Sequence, residues 1–208
     1  MRISLPHLAR GSGMQVGLAV LLLAGLSSCP CRAQEAALLG IYDDPAMTQT
    51  HGIMDGTSKV LWLGVRFLGP VPGDGFTGAE FSIAGLQPFS LYTVEFLGDP
   101  SVVLGTVAAP ADTLNGMGGL SVAWPRCLPD ETLLARLTLH APVPPQNQTL
   151  TVRRRYPPSS PLWPVPRLWS CDAPCFGCSI HVVPGTYVLN PLVGSESATW
   201  SAVRHLFR

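Results

Sequence analysis

The sequence predicts an all-β protein, an antiparallel sandwich with a short helical tail, and three observations predict it. Glycine and proline each number 21 in 208 residues, a frequency that suits short strands joined by tight turns and disfavours long helices. Runs of β-branched and aromatic residues recur between those turns, with no helical pattern alternating with them, which argues against βαβ units. Four cysteines fall late in a chain whose start resembles an export signal, a combination that favours disulfide bracing.

The chain is 47% hydrophobic and 12% charged, enough for one core and one domain, placed here at residues 34–190. Residues 1–33 read as a signal peptide: Arg2 and Arg10 precede an apolar run from Val16 to Leu26 that is too short to span a bilayer. Cys31-Arg-Ala33 fits ordinary cleavage after Ala33, while Leu26-Ser-Ser-Cys29 offers the alternative of a lipoprotein anchored through Cys29. Cysteine parity favours the first, since it leaves an even set of four. The same cut removes three arginines, so the mature chain carries 10 basic and 13 acidic residues. Such a chain has no basic field for nucleic acid, and no further segment of transmembrane length.

The strands follow in order. The run from Leu38 to Tyr42 ends at Asp43-Asp-Pro45, and Pro45 to Ser58 reads as a polar loop. Val60 to Leu68 carries Val60, Trp62, Val65 and Phe67 and reads as a central strand, closed by Gly69-Pro-Val-Pro-Gly-Asp-Gly75. Between Thr77 and Leu86, Ala79, Phe81 and Ile83 alternate with Glu80 and Ser82, the pattern of a strand buried on one face. Leu91 to Leu97, Val102 to Val107, Gly119 to Trp124 and Leu133 to His140 repeat the signal.

Prolines then crowd residues 141–166 around one short strand, Thr149 to Tyr156. Arg153, Arg154 and Arg155 within it suggest a solvated edge guarded by charge, with anion binding as the functional alternative. Val165 to Trp169, Ile180 to Val183 and Thr186 to Leu189 finish the sheets, and Val183-Pro-Gly-Thr186 suggests a hairpin connection. Asn147-Gln-Thr149 matches a glycosylation sequon, relevant only to a eukaryotic secretory route.

Chemistry is suggested by spacing in one stretch, Trp169 to His181. Cys171, Cys175 and Cys178 are joined there by His181, four ligands at the close spacing of a compact zinc site. An exported chain meets oxidants first, and with Cys127 the set closes as two disulfides, for which Cys127 with Cys171 and Cys175 with Cys178 is the preferred pairing. A redox role for Cys175-Phe-Gly-Cys178 would want the first cysteine at a helix N-terminus, and Pro174 with the following strand opposes that. Histidines 51, 140 and 181 belong to no H-E-x-x-H motif, and no G-x-S-x-G is present. Asp43, Asp44, Asp55 and Asp74 match no EF-hand spacing and read as turn chemistry. No catalytic residue and no cofactor is expected.

After Asn190-Pro-Leu-Val-Gly194 the period changes. Residues 191–208 form a tail in which Trp200, Val203 and Phe207 fall on one side of a short amphipathic helix, with Arg204 and Arg208 near its end. Such a helix is marginal alone, and either folds back on its own sandwich or docks in trans.

Val60 to Phe67, the glycine and proline turn, and Gly78-Ala-Glu-Phe-Ser-Ile83 resemble the early strands of cohesin-type and related Ig-like sandwiches; Leu133 to His140 resembles their late strands. Gly40-Ile-Tyr-Asp-Asp-Pro45, Gly78-Ala-Glu-Phe81, Trp169-Ser-Cys-Asp172 and Thr199 to Arg208 resemble uncharacterised secreted proteins of environmental bacteria. The resemblance implies a secreted or periplasmic module at the cell surface. It is expected to be structural or to bind a protein or glycan, as cohesins bind dockerins through one sheet face. No residue of that face is carried over.

Overall fold

The computed structural model describes residues 36–69, 75–113, 116–159, 165–171 and 179–192. The chain divides into two units, Met1–Arg32 and Ala33–Arg208, and the described residues belong to the second. The expected signal peptide with Cys29, the cysteines Cys175 and Cys178, and the expected tail residues Trp200, Val203 and Phe207 lie outside them.

The fold is all-β. Its strands are β1 (Ala36–Tyr42), β2 (His51–Gly52), β3 (Ser58–Phe67), β4 (Phe76–Ala84), β5 (Leu91–Phe96), β6 (Val102–Thr106), β7 (Gly119–Leu128), β8 (Thr132–His140), β9 (Gln148–Arg153), β10 (Arg167–Ser170), β11 (Ser179–Pro184) and β12 (Thr186–Leu189). A single 3-10 turn, Pro110–Asp112, accompanies them among the described residues. No helix there is long and apolar enough to cross a membrane.

Hydrogen bonding runs β2-β12-β9-β4-β10-β11-β1-β3-β8-β5, and a branch from β4 continues through β7 to β6. In a flat sheet the four steps from β3 to β4 would separate them by roughly 19 Å. Yet the Phe67 ring on β3 lies 6.2 Å from the Phe76 ring on β4, and Phe76 meets Trp124 of β7 edge-on at 6.3 Å. The sheet therefore doubles over, and the layer containing β3 and β8 faces the layer containing β4 and β7. Trp124 Nε1 donates to the Leu97 carbonyl at 3.0 Å, so the residue after β5 is tied to β7 on the opposite layer.

Alternation explains which side chains fill the space between. Leu61, Leu63 and Val65 on β3 and Leu137 and Leu139 on β8 are buried, as are Phe81 and Ile83 on β4. Strand β4 belongs to both parts of the sheet: Phe76 to Phe81 pairs with β7 and β10, whereas Ser82 to Ala84 pairs with β9.

Four sequence expectations are corrected here. The loop from Pro45 to Ser58 contains β2, two residues long, which pairs with β12 in parallel. Strand β9 is interior, between β12 and β4, because Leu150 and Val152 are needed in the core; Arg154 and Arg155 lie beyond its end. Glu80 and Ser82 are not on a solvated face, since both are buried on the side of β4 away from Phe81. Finally, β11 and β12 form no hairpin: β11 pairs with β1 and β10, β12 with β9 and β2, and Pro184-Gly185 carries the chain from one to the other. Gly185 does not take the positive φ that a type II turn requires, its N–H donates instead to the Leu39 carbonyl at 2.8 Å, and the two strands go to different neighbours.

Candidate functional site

The outer face of the sheet from β6 to β11 gathers the polar groups of the Trp169 region. Register places Leu104, Ser121, Glu80, Arg167 and His181 in one row across β6, β7, β4, β10 and β11. The next row reads Val102, Ala123, Gly78, Trp169 and Ser179. Gly78 is required by close approach: a Cβ there would sit 2.5 Å from Cε3 of the Trp169 indole, which occupies the space a side chain would fill.

Glu80 anchors the face. Its Oε1 accepts the Ser159 N–H at 3.0 Å, its Oε2 accepts the hydroxyls of Ser121 (3.0 Å) and Ser159, and Arg155 Nη1 stands 3.6 Å from Oε2. Beside it, Ser82 Oγ donates to the Arg154 carbonyl at 2.8 Å. A buried carboxylate needs partners of this kind, because an unpaired one would cost several kcal/mol. Together these contacts clamp residues 154–159 over β4. On the next strand Arg167 bonds to Ser179 Oγ; burial lowers its pKa, and the Glu80 charge works against that shift.

A disulfide closes one end of this face. Cys127 on β7 and Cys171 just after β10 are bonded across 44 residues, with Cα atoms 6.0 Å apart. Cys127 is exposed and lines an open cleft of about 480 Å³ with Arg126, Leu97 and Thr132. The bond withdraws Cys171 as a thiolate from the zinc arrangement weighed above. His181 lies in the middle of β11, opposite Arg167 and Ala36. Among the described residues no group of three or more potential metal ligands comes together.

A second polar cluster ties β1, β3 and β12. Lys59 Nζ lies 2.5 Å from Asp43 Oδ1, and the buried Tyr187 hydroxyl donates to the same oxygen at 2.6 Å. Burial, and then Asp43 itself, push the Tyr187 pKa well above its ordinary value. Asp44 does carry out turn chemistry: its carboxylate accepts the backbone N–H groups of Thr48 and Gln49 and the Thr48 hydroxyl. The slight burial there raises its pKa, and these hydrogen bonds outweigh it, so the net shift is downward.

Strand β6 completes the face and breaks its pattern. Every residue of β6 is exposed, including Val102, Val103 and Leu104, and β7 is its sole strand neighbour among the described residues. Sequence reasoning identified β6 as a strand but had no signal for its exposure, since a run such as Val-Val-Leu reads as a core strand. The Glu80 clamp was missed too; the one available hint was the arginine run at 153–155.

No protein-family model and no curated protein matches the chain. Among solved structures it is weakly similar to a cohesin module from a family 33 glycoside hydrolase of Clostridium perfringens, 12% identical over 76% of this chain and 98% of that one, with a TM-score of 0.46. It is also similar to the third cohesin of ScaC from Acetivibrio cellulolyticus, solved with the ScaB dockerin, 10% identical over 74% of this chain and 98% of that one, with a TM-score of 0.38.

Proposed function

We propose that the chain is an exported, non-catalytic binding module that takes a protein ligand as an added strand at β6. The observation that carries this reading is an edge strand exposed on both faces whose three large side chains are all aliphatic. Edge strands are ordinarily blunted by charge, proline or cover, because unpaired backbone groups template further pairing. Strand β6 has no charge and no proline along Val102–Thr106. An extended polypeptide satisfies such an edge with main-chain hydrogen bonds, and its alternate side chains meet Val102 and Leu104 on one face and Val103 on the other. A glycan satisfies the backbone edge less well, having no matching repeat of N–H and C=O groups.

The test is a parallel screen of the mature chain against immobilised extended peptides and against a glycan array, followed by amide exchange on any ligand found. Peptide binding that slows exchange across Val102–Thr106, and that falls at least tenfold in Leu104→Lys, is the expected result. Glycan binding that survives Leu104→Lys, with no peptide bound, overturns the reading.

A further inference from the structure

Asn190 makes a hydrogen bond with each of its four polar groups and so builds one notch. It is 7% exposed and lies at the end of β12 with φ of 46°. Its N–H donates to the Gly52 carbonyl at 2.8 Å and its carbonyl accepts the Asn147 N–H at 2.9 Å. Its side-chain Oδ1 accepts the Met54 N–H at 2.7 Å, while Nδ2 donates to the Pro145 carbonyl at 2.9 Å. One residue thus fixes the segment after β2 and the proline-rich segment after β8 to the exit of β12. Between them lies an open notch of about 360 Å³ lined by Ile53, Met54, Val143, Pro144, Gln146, Asn190 and Pro191.

The rim of this notch is apolar and uncovered: Ile53 is 67% exposed and Val143 is 77% exposed. Its lining contains no ionisable side chain, so an apolar occupant strands no charge there. Pro191 is both a wall of the notch and the point from which the chain continues into residues 193–208. Trp200 lies eight residues past Leu192, a tether short enough to hold the segment at millimolar effective concentration or above. That segment carries Trp200, Val203 and Phe207 at spacings that share one side of a helix, and so short a helix needs an apolar surface to persist.

We infer that the notch organised by Asn190 is an intramolecular dock for the chain's own residues 193–208, seated through Trp200, Val203 and Phe207. The rim residues Ile53 and Val143 and the Trp200, Val203 and Phe207 positions of the segment are apolar, and the tether makes the intramolecular encounter outcompete a second copy at ordinary concentrations.

Limited trypsin digestion of the full mature chain tests this at the Arg204–His205 bond, read by mass. The double variant Ile53→Asp/Val143→Asp places two charges on exposed rim positions outside the core, and its melting temperature is checked first. Cleavage after Arg204 is expected to be at least tenfold slower in the parent than in the variant, at a ratio independent of protein concentration. Equal rates overturn the dock. Protection that disappears on dilution assigns the notch to another copy's tail, and protection lost in Leu104→Lys but kept in the notch variant moves the contact to β6; both results overturn the inference as well. Should the notch variant fail to fold, Trp200→Asp on the tail carries the same comparison.

Discussion

Strands β5 and β6 are both edges among the described strands, both carry several large apolar residues, and they follow one another in sequence, yet the fold treats them differently. On β5, Tyr92, Val94 and Phe96 pack against the core while the residues between them face water. Glu95 on its outer side pairs with Arg136 of β8. On β6 every residue is exposed, and Val102–Thr106 carries no charge to guard it. What separates them is the presence of a facing layer rather than composition: β5 has a layer opposite that absorbs alternate side chains, and β6 extends past it. An apolar edge that contributes little to the core has a reason to be apolar only in contact with something else.

Four substitutions break or sharpen that contrast. The largest effect is expected from Cys127→Ser, because the disulfide anchors β7, the strand that carries β6. Closing a loop of 44 residues is worth about 4 kcal/mol in the chain-entropy account, and denaturant unfolding under non-reducing conditions should register most of it. If the loss is under about 1 kcal/mol, β6 and β7 are held by the sheet alone. Next, Phe96→Ala on β5 should cost about 2 kcal/mol, since the ring is partly buried, while Leu104→Ala on β6 should stay within about 0.5 kcal/mol. Comparable losses at the two sites would mean that β6 is packed after all. A similarly small effect on stability is expected from Glu95→Ala. An exposed ion pair contributes roughly 0.2–1 kcal/mol, so unfolding should shift only slightly, but a rise in self-association by light scattering is expected once the β5 edge loses its guard.

Strand positions were readable from the chain because alternation and turn residues act locally: Ala79, Phe81 and Ile83 announce β4 wherever it goes. Partners were less readable. Pro184-Gly185 looks like a hairpin turn, but β1 and β10 occupy both edges of β11 and leave none for β12. Arg153 to Arg155 looks like a guarded edge, but Leu150 and Val152 draw β9 inside, and Arg155 turns to the buried Glu80. Parity, a sequence quantity, indicated that the four cysteines could close as disulfides, and the preferred Cys127–Cys171 pair is present. The notch at Asn190 had no precursor in the sequence, because its four partners come from segments far apart along the chain.

The parallel pairing of Ala36 with His181 sets a schedule for the molecule's birth. A ribosome adding roughly 5–20 residues each second delivers β1 roughly 7 to 30 seconds before β11 exists. During that interval β1 can lie against β3, delivered soon after it, but its other side waits. Whatever receives the nascent chain must therefore shelter one unpaired strand until β11 is made, and a chain cut short anywhere before β11 keeps that vacancy for good.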